Sequence, residues 1–284
     1  MRFRFIEAEK ASYPLGMLCR LLQVARSGFY AWRTRPESQR SRMDKQLTIE
    51  VRSVFEANRR TYGSPRVYRE LQTKGKPVGR HRVARLMRAE GLQARKRRRF
   101  VATTNSDHTL AVAPNLINRQ FQAAAPNQVW VGDVTFLPTL EGWLYLAVLL
   151  DLFSRRVVGW AMSDKNDEAL TLGALQMAID HRSPGPGLVH HSDRGSTYAS
   201  TEYQDVLRRH GFLCSMSRKG DCLDNAVAES FFSTLKTECI APMGLRTRGA
   251  TRLAVFDYIA GFYNPTRRHS YIGYKSPMEF EEAA

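Results

Sequence analysis

The chain has no uninterrupted apolar run long enough to cross a bilayer. Its longest, Trp143 to Phe153, is only strand-length and carries Asp151. The opening Met1-Arg-Phe-Arg-Phe-Ile-Glu places charges where a secretion signal needs an apolar stretch, so a cytoplasmic protein is expected. Cysteine is scarce: Cys19, Cys214, Cys222 and Cys239 include no C-x-x-C pair, and no histidine cluster completes a zinc site. Free thiols in a reducing compartment follow. No Walker or dinucleotide-type glycine loop appears, which argues against nucleotide binding. Acidic residues are sparse in one region only. Residues 1–100 hold 8 Asp and Glu against 26 Lys and Arg, a net +18, whereas residues 101–284 carry −2. A basic region beside a near-neutral one reads as a polyanion-binding module joined to something else. A membrane surface would need a basic amphipathic helix with large apolar anchors. None stands out, and nucleic acid is the expected partner.

Residues 1–100 read as helical. Leu15, Leu18, Leu21, Leu22 and Val24 recur at helical spacing, Ser27-Gly28 is expected to break the helix, and Phe29, Tyr30 and Trp32 follow, a helix-turn-helix pattern. In a second such unit, Tyr62-Gly63-Ser64-Pro65 opens a helix with Pro near its first turn and Lys74-Gly75-Lys76-Pro77 closes it. In the next helix Val83, Leu86 and Met87 form the buried stripe and Arg80, Arg82, Arg85 and Arg88 the exposed side. A recognition helix needs that layout, with arginines aimed at phosphates and base edges. A solvated basic face is the plainer alternative, which the net +18 disfavours. Arg95 to Arg99, with Arg97 and Arg98 at its centre, extends the basic path. Residues 101–126, rich in Ala, Asn, Thr and Pro, read as a linker.

Residues 127–240 change character. Strands are expected over 129–137, 143–153 and 156–162, joined by turns at Glu141-Gly142 and Ser154-Arg155 into an antiparallel meander. A helix over 167–181, a strand over 188–191, a helix over 200–210, a strand over 212–216 and a helix over 225–238 follow. The order β-β-β-α-β-α-β-α predicts an α/β ribonuclease-H-like core with a mixed five-stranded sheet, preceded by an all-α helix-turn-helix-type region. Residues 241–284 read as a C-terminal helical extension.

Three carboxylates stand out. Asp133 lies inside the apolar strand Val129-Trp-Val-Gly-Asp-Val-Thr-Phe-Leu, where an aspartate is costly unless paired or metal-bound. Asp193 follows a short strand at its carboxyl end, where α/β sheets place ligand groups. Glu229 sits in an apolar helix among Val227, Phe231, Phe232 and Leu235. Singly, each has a bland reading as a strand-end, turn or surface acid. Together they supply oxygen donors that hard divalent cations want, and two such ions about 3.5–4 Å apart clamp the attacking and leaving oxygens of a displacement at phosphorus. Between Asp193 and Glu229 stand 35 residues.

With that spacing the chain resembles the integrase-core transposases that carry an aspartate, aspartate, thirty-five-residue, glutamate signature, retroviral integrases included. It is most similar to second-reading-frame products of bacterial insertion sequences. The resemblance rests on Trp130-Val-Gly-Asp133-Val-Thr-Phe, Asp151-Leu-Phe-Ser-Arg155-Arg-Val-Val-Gly-Trp160, His191-Ser-Asp193-Arg-Gly-Ser-Thr-Tyr198, Asp224-Asn225-Ala-Val-Ala-Glu229 with Lys236-Thr-Glu238, and Tyr263-Asn264-Pro-Thr-Arg267-Arg268-His269. Tyr62-Gly63-Ser64-Pro65-Arg66 matches in the helical region, so the likeness covers nearly the whole chain.

The resemblance implies DNA cleavage at transposon ends and strand transfer. Asp133, Asp193 and Glu229 correspond to the metal-binding catalytic triad, with two Mg²⁺ ions per active site when substrate is bound and Mn²⁺ as the alternative. Lys236, seven residues after Glu229, corresponds to the basic residue facing transposon-end DNA. The implied partners are double-stranded DNA, as terminal inverted repeats and target, and further copies of the chain in a dimer or larger synaptic assembly. An upstream-frame protein or fusion is a further partner, since Met1-Arg-Phe looks like the start of a second frame. A bacterial cytoplasmic location, on the nucleoid when DNA is bound, goes with this. Asn225 is expected to cap the catalytic helix and Asp151 to be structural, with His190 and His191 as core histidines. Arg267, Arg268 and His269 stay open between DNA contact and closing the fold. The competing readings are a nuclease that cuts without joining and a DNA-binding repressor on an inactive scaffold.

Overall fold

A computed structural model describes residues 1–95, 112–218 and 222–284. Arg97 and Arg98, and residues 101–111 of the expected linker, lie outside the described residues. Residues divide into two units, Met1–Ser53 and Val54–Ala284. No helix among the described residues is long and apolar enough to cross a membrane.

In the first unit α1 (Arg2–Glu9), α2 (Leu15–Leu21) and α3 (Arg26–Thr34) enclose Ile6, Leu18, Cys19 and Phe29. The Phe3 ring stacks on Trp32 with centroids 5.8 Å apart. The break expected at Ser27-Gly28 falls earlier. Gln23 takes φ 53, and Ser27 and Gly28 begin α3. Within α3 Gly28 packs beside the Phe3 ring, where an added Cβ would make an ordinary 3.5 Å contact. The division between the units falls within α4 (Gln39–Ala57).

The second unit continues with α5 (Ser64–Thr73) and α6 (Arg80–Ala89), which pack on each other through Val67, Leu71, Val83, Leu86 and Met87. Arg80, Arg85 and Arg88 are exposed as expected, but Arg82 is half-buried. Two residues past Arg80, it has turned toward the flank of the apolar stripe.

The sheet follows: β1 (Val129–Thr139), β2 (Gly142–Asp151), β3 (Val157–Ser163), then α7 (Glu168–Arg182), β4 (Val189–Ser192), α8 (Ser196–Ala199), α9 (Thr201–Arg209) and β5 (Leu213–Met216). Its order is β3-β2-β1-β4-β5. β1–β2 and β2–β3 are antiparallel, while β1–β4 and β4–β5 are parallel, giving the ribonuclease-H-like arrangement expected. The helix expected over 200–210 is α9, which Ser200 caps by accepting from the Tyr203 amide; the short α8 just before it was not foreseen. Asp167 caps α7 in the same way from the Leu170 amide.

Strand alternation places Trp130 and Val134 of β1 on one face, with Ala147, Leu149 and Val158, where α7 covers them with Leu170, Ala174, Leu175 and Ala178. α7 lies so close that a Cβ on Gly159 would stand 2.2 Å from the Ala174 carbonyl oxygen. Asp133 has the opposite phase and faces the other side. There α10 (Ala226–Leu235) packs on β1 and β2. A π-helical turn (Lys236–Ile240), α11 (Ala241–Met243) and α12 (Arg248–Tyr258) follow. A second π turn (Ile259–Tyr263), a 3-10 turn (Ser270–Ile272) and α13 (Pro277–Glu282) complete the chain.

One carboxylate holds α13 to the core. Glu281 accepts from Ser154 Oγ at 2.7 Å, Arg156 Nη1 at 2.7 Å and Arg182 Nη1 at 2.8 Å. Burial pushes its carboxyl up, but these donors outweigh burial and hold it below the usual value. A carboxylate with a lowered folded pKa adds stability above its unfolded pKa, and that stability fades as pH falls through the folded one. Thermal melts from pH 7 to below the ordinary glutamate range (about 4.3) should therefore decline. Glu281→Gln should melt lower at pH 7 and decline less steeply.

Candidate active site

The parallel pairing of β1 with β4 ends at Gly132 opposite Ser192. Asp133 is the next residue of β1, and Asp193 is the first residue after β4. Both carboxylates therefore lie at the carboxyl end of β4, where β1 loses its partner on that side, close enough for the Asp193 charge to act on Asp133. Gly132 makes room for this junction: a Cβ there would lie 3.3 Å from both His190 Nε2 and the Tyr198 ring. Asp133 Oδ1 accepts from the Val134 amide at 2.8 Å, and Asp193 Oδ1 from the Gly195 amide at 2.9 Å. Both carboxylates are half-buried.

Glu229 comes from α10, in its first turn, and is exposed. Two contacts fix where that helix begins. Asn225 stands at the N-cap position, but its side chain makes no capping bond. Nδ2 instead donates to the Gly132 carbonyl at 3.4 Å, tying α10 to the strand residue before Asp133. The expected cap is thus corrected: the bond from Nδ2 turns the side chain toward Gly132, and Oδ1, the atom a cap would use, is buried with no hydrogen-bond partner among the described residues. Asp224 is fully buried and accepts from Arg218 Nε at 3.0 Å, Arg218 Nη2 at 2.8 Å, Arg119 Nε at 3.1 Å and Asn115 Nδ2 at 2.9 Å. Hydrogen bonds from Arg218, against the penalty of burial, hold its carboxyl far below the usual range. Sequence reasoning gave Asp224 no role. The only cue was an acid immediately before a helix.

The electrostatics single out Asp133. Burial pushes its carboxyl well above the ordinary value, the Asp193 charge adds to this, and so does Glu229. The Val134 amide and Lys236 oppose the rise. Partial desolvation of its carboxylate also pushes the otherwise exposed Glu229 up. Lys236 opens the π turn with its Nζ 5.1 Å from the centroid of Phe136, and burial pushes its amine down. Three carboxylates thus share one end of the sheet with Lys236 set against them, an excess of negative oxygen donors that suits a hard divalent cation. Among the described residues no three acidic, histidine or cysteine side chains are close enough to enclose an ion. Asp133 and Asp193 form the held pair, and Glu229 reaches from an exposed position.

The neighbouring histidines are core residues. His190 Nε2 lies 2.8 Å from Tyr203 Oη and His191 Nδ1 2.8 Å from Ser215 Oγ. Burial pushes them down to about 3 and about 4, so both are neutral at pH 7. Asp151 is fully buried and accepts from the Asn127 and Phe153 amides at 2.7 and 2.8 Å, a structural arrangement. Arg267 and Arg268 close the fold: the first is buried against Glu238, and the second bonds Glu70 and the Tyr274 carbonyl.

Comparison with known proteins identifies the family. An integrase core domain family model matches residues 123–222, a second integrase core domain model residues 229–284, and an HTH-like domain model residues 42–100. The chain is 44% identical over 284 residues to Transposase InsF for insertion sequence IS3A of Escherichia coli (strain K12), spanning 99% of this chain and 98% of that one. It is also 44% identical over 265 residues to the Insertion element IS600 uncharacterized 31 kDa protein of Shigella sonnei, spanning 93% and 97%. Among solved structures it is similar to the simian T-cell lymphotropic virus intasome in complex with PP2A regulatory subunit B56 gamma, at 17% identity and TM-score 0.49, covering 73% of this chain and 68% of that one. The HTLV-2 integrase catalytic core domain in complex with magnesium (trimeric form) aligns at 20% identity and TM-score 0.43, covering 56% and 99%.

A ribonuclease-H-like sheet with an integrase core defines the class, a DNA-cleaving and strand-transferring polynucleotidyl transferase. Within that class the chain belongs to the insertion-sequence transposases of the IS3 type.

Proposed function

We propose that Asp133, Asp193 and Glu229 are the catalytic triad of this transposase and bind Mg²⁺, two ions per site with DNA present, Mn²⁺ being able to substitute. The observation that carries this reading is the β1–β4 register, which sets Asp133 beside Asp193 while the charge of Glu229 still acts on Asp133. When bound, the divalent ions neutralise developing charge at phosphorus and make a water acidic enough to attack. Asp133 and Asp193 offer oxygens from a rigid sheet edge, which preorganises the site. Glu229 completes the donor set from α10, whose start Asn225 and Asp224 hold in place. Lys236, on the same side of the helix, meets a DNA phosphate. The reaction is hydrolysis of the strand at the transposon end, freeing a 3′-hydroxyl, followed by attack of that hydroxyl on a target phosphodiester, with no covalent protein intermediate.

The helical region over 1–100 binds the terminal inverted repeats, with Arg80, Arg82, Arg85 and Arg88, and Arg97 and Arg98 beyond them, as phosphate or base contacts. Two ends must be held together, so the working form is a dimer or larger assembly, with an upstream-frame protein or fusion as a further partner. It acts in the cytoplasm, on nucleoid DNA.

The test is cleavage and strand transfer of labelled DNA carrying the element's own ends, in Mg²⁺, with wild type and Glu229→Gln. Loss of about 10²–10³-fold in both steps with DNA binding retained is expected. Equal activity in the two proteins would overturn the assignment. Cleavage without joining by the wild type would favour a nuclease, and specific binding with no chemistry a repressor.

A further inference from the structure

On the flank of α10 away from Glu229 lies a cavity of about 310 Å³. Ala226, Val227, Ser230, Phe231 and Thr234 form its α10 wall, and at helical spacing that wall is turned roughly a third of a circle from Glu229 and Lys236. The remaining lining is cationic and aromatic. Arg66, Arg155 and Arg267 enter it with Tyr263, Tyr271 and His269, and among the described residues no carboxylate lines it.

Arg267 is the one of these three arginines that is paired with an acid among the described residues, meeting Glu238 at 2.6 Å. Arg155 is more than nine-tenths buried, its Nη2 donates to the Phe121 carbonyl at 2.7 Å, and its guanidinium lies 4.1 Å over the Tyr271 ring. Its Nη1 is buried and has no hydrogen-bond partner among the described residues. Arg66 rests beside the Tyr62 ring at 5.6 Å, and among the described residues it has no ion pair. Burial pushes Arg66 and Arg155 below the ordinary guanidinium value, and the Arg267 charge presses further on Arg66. His269 is pushed well down by burial and by the charges of all three guanidiniums, and Arg267 Nη1 lies 3.3 Å from its Nε2. A buried, unsatisfied guanidinium donor costs free energy until an acceptor meets it, and planar forks favour phosphate oxygens.

We propose that this cavity is a phosphate-binding site, in which Arg66 and Arg155 take the oxygens of one phosphate group and the aromatic walls exclude water around it. The site is separate from the carboxylate cluster and takes the opposite charge. Because its wall is α10, an occupied site braces the helix that carries Glu229 from behind. The phosphate comes either from a DNA backbone or from a free anion, and the chemistry of recognition is the same.

The experiment uses the full chain without metal, with inorganic phosphate as probe at constant ionic strength in chloride, read by ³¹P line broadening. Saturable binding is expected. Arg66→Met should weaken it by about tenfold or more, one charge-assisted contact being enough for that, whereas Arg209→Met, exposed on α9, and Glu229→Gln should leave it intact. Circular dichroism checks that Arg66→Met is folded, and Arg66→Lys should recover part of the affinity. A short DNA duplex that displaces the phosphate from wild type identifies DNA as the source. Phosphate held alongside DNA identifies the free anion. Absence of saturable binding, or equal binding by wild type and a folded Arg66→Met, would overturn the site. Because Glu229→Gln is predicted to bind phosphate normally, failure here and failure of the triad assignment are separately visible.

Discussion

Asp133→Asn is expected to lose cleavage and strand transfer by about 10²–10³-fold or more, yet to melt no lower than wild type in metal-free buffer. The two halves have one cause. Asp133 is the carboxylate most strongly opposed by its surroundings, since burial, Asp193 and Glu229 all disfavour its charge. Without a cation that repulsion is a cost to the folded state, and an amide of the same shape removes it. The amide oxygen of the variant can still accept from the Val134 backbone N–H, as Asp133 Oδ1 does. Adding Mg²⁺ should then reverse the order, raising the melting temperature of wild type by mass action and that of the variant little. Differential scanning fluorimetry with and without Mg²⁺, beside the strand-transfer assay, reads both. A variant that melts far below wild type without metal would mean that Asp133 serves the fold and not the chemistry.

The largest loss of stability is expected from Arg267→Met. Arg267 is 3% exposed and meets Glu238 through Nε at 2.7 Å and Nη2 at 2.6 Å, while Tyr258 Oη donates to Glu238 Oε2 at 2.8 Å. Burial alone would push the guanidinium pKa down, but the Glu238 hydrogen bonds and nearby charges more than offset it. Removing the arginine strands Glu238 in a poorly solvated place, and breaking such a pair costs about 3–5 kcal/mol. For a unit of this size that corresponds to a fall in melting temperature on the order of 10 °C. Arg267→Met with Glu238→Gln keeps an acceptor for Tyr258 and removes the stranded charge, so it should recover part of the loss. If the single and double variants melt alike, the ion pair is not what holds the π turn after α10 to the C-terminal segment.

The sheet was legible because its strands are written in an unambiguous pattern. β2 is apolar up to its terminal Asp151 and lies between β3 and β1, and the turns at Glu141-Gly142 and Ser154-Arg155 leave room only for a meander. Asp133 was legible as an acid where a strand should not have one, and Asp193 and Glu229 through their spacing. Other features depend on partners far away in sequence. Asn225 looked like a helix cap because the Gly132 carbonyl that orients its side chain is 93 residues away. Ser27-Gly28 looked like a breaker because nothing local announces the Phe3 ring that packs there. Arg267 could be read as a DNA contact until Glu238, 29 residues away, was seen to pair with it. The phosphate cavity has no sequence signature at all, since Arg66, Arg155 and Arg267 meet only when α5, the β2–β3 turn and the C-terminal segment come together.

The central claim is that these three carboxylates hold the catalytic divalent ion, and it is most directly tested by Mn²⁺ binding to the purified chain, followed by electron paramagnetic resonance. Wild type should take up Mn²⁺ in a saturable way that Mg²⁺ displaces, and Asp193→Asn should lose most of that uptake while remaining folded. Equal Mn²⁺ uptake by wild type and Asp193→Asn would place the metal elsewhere and contradict the account.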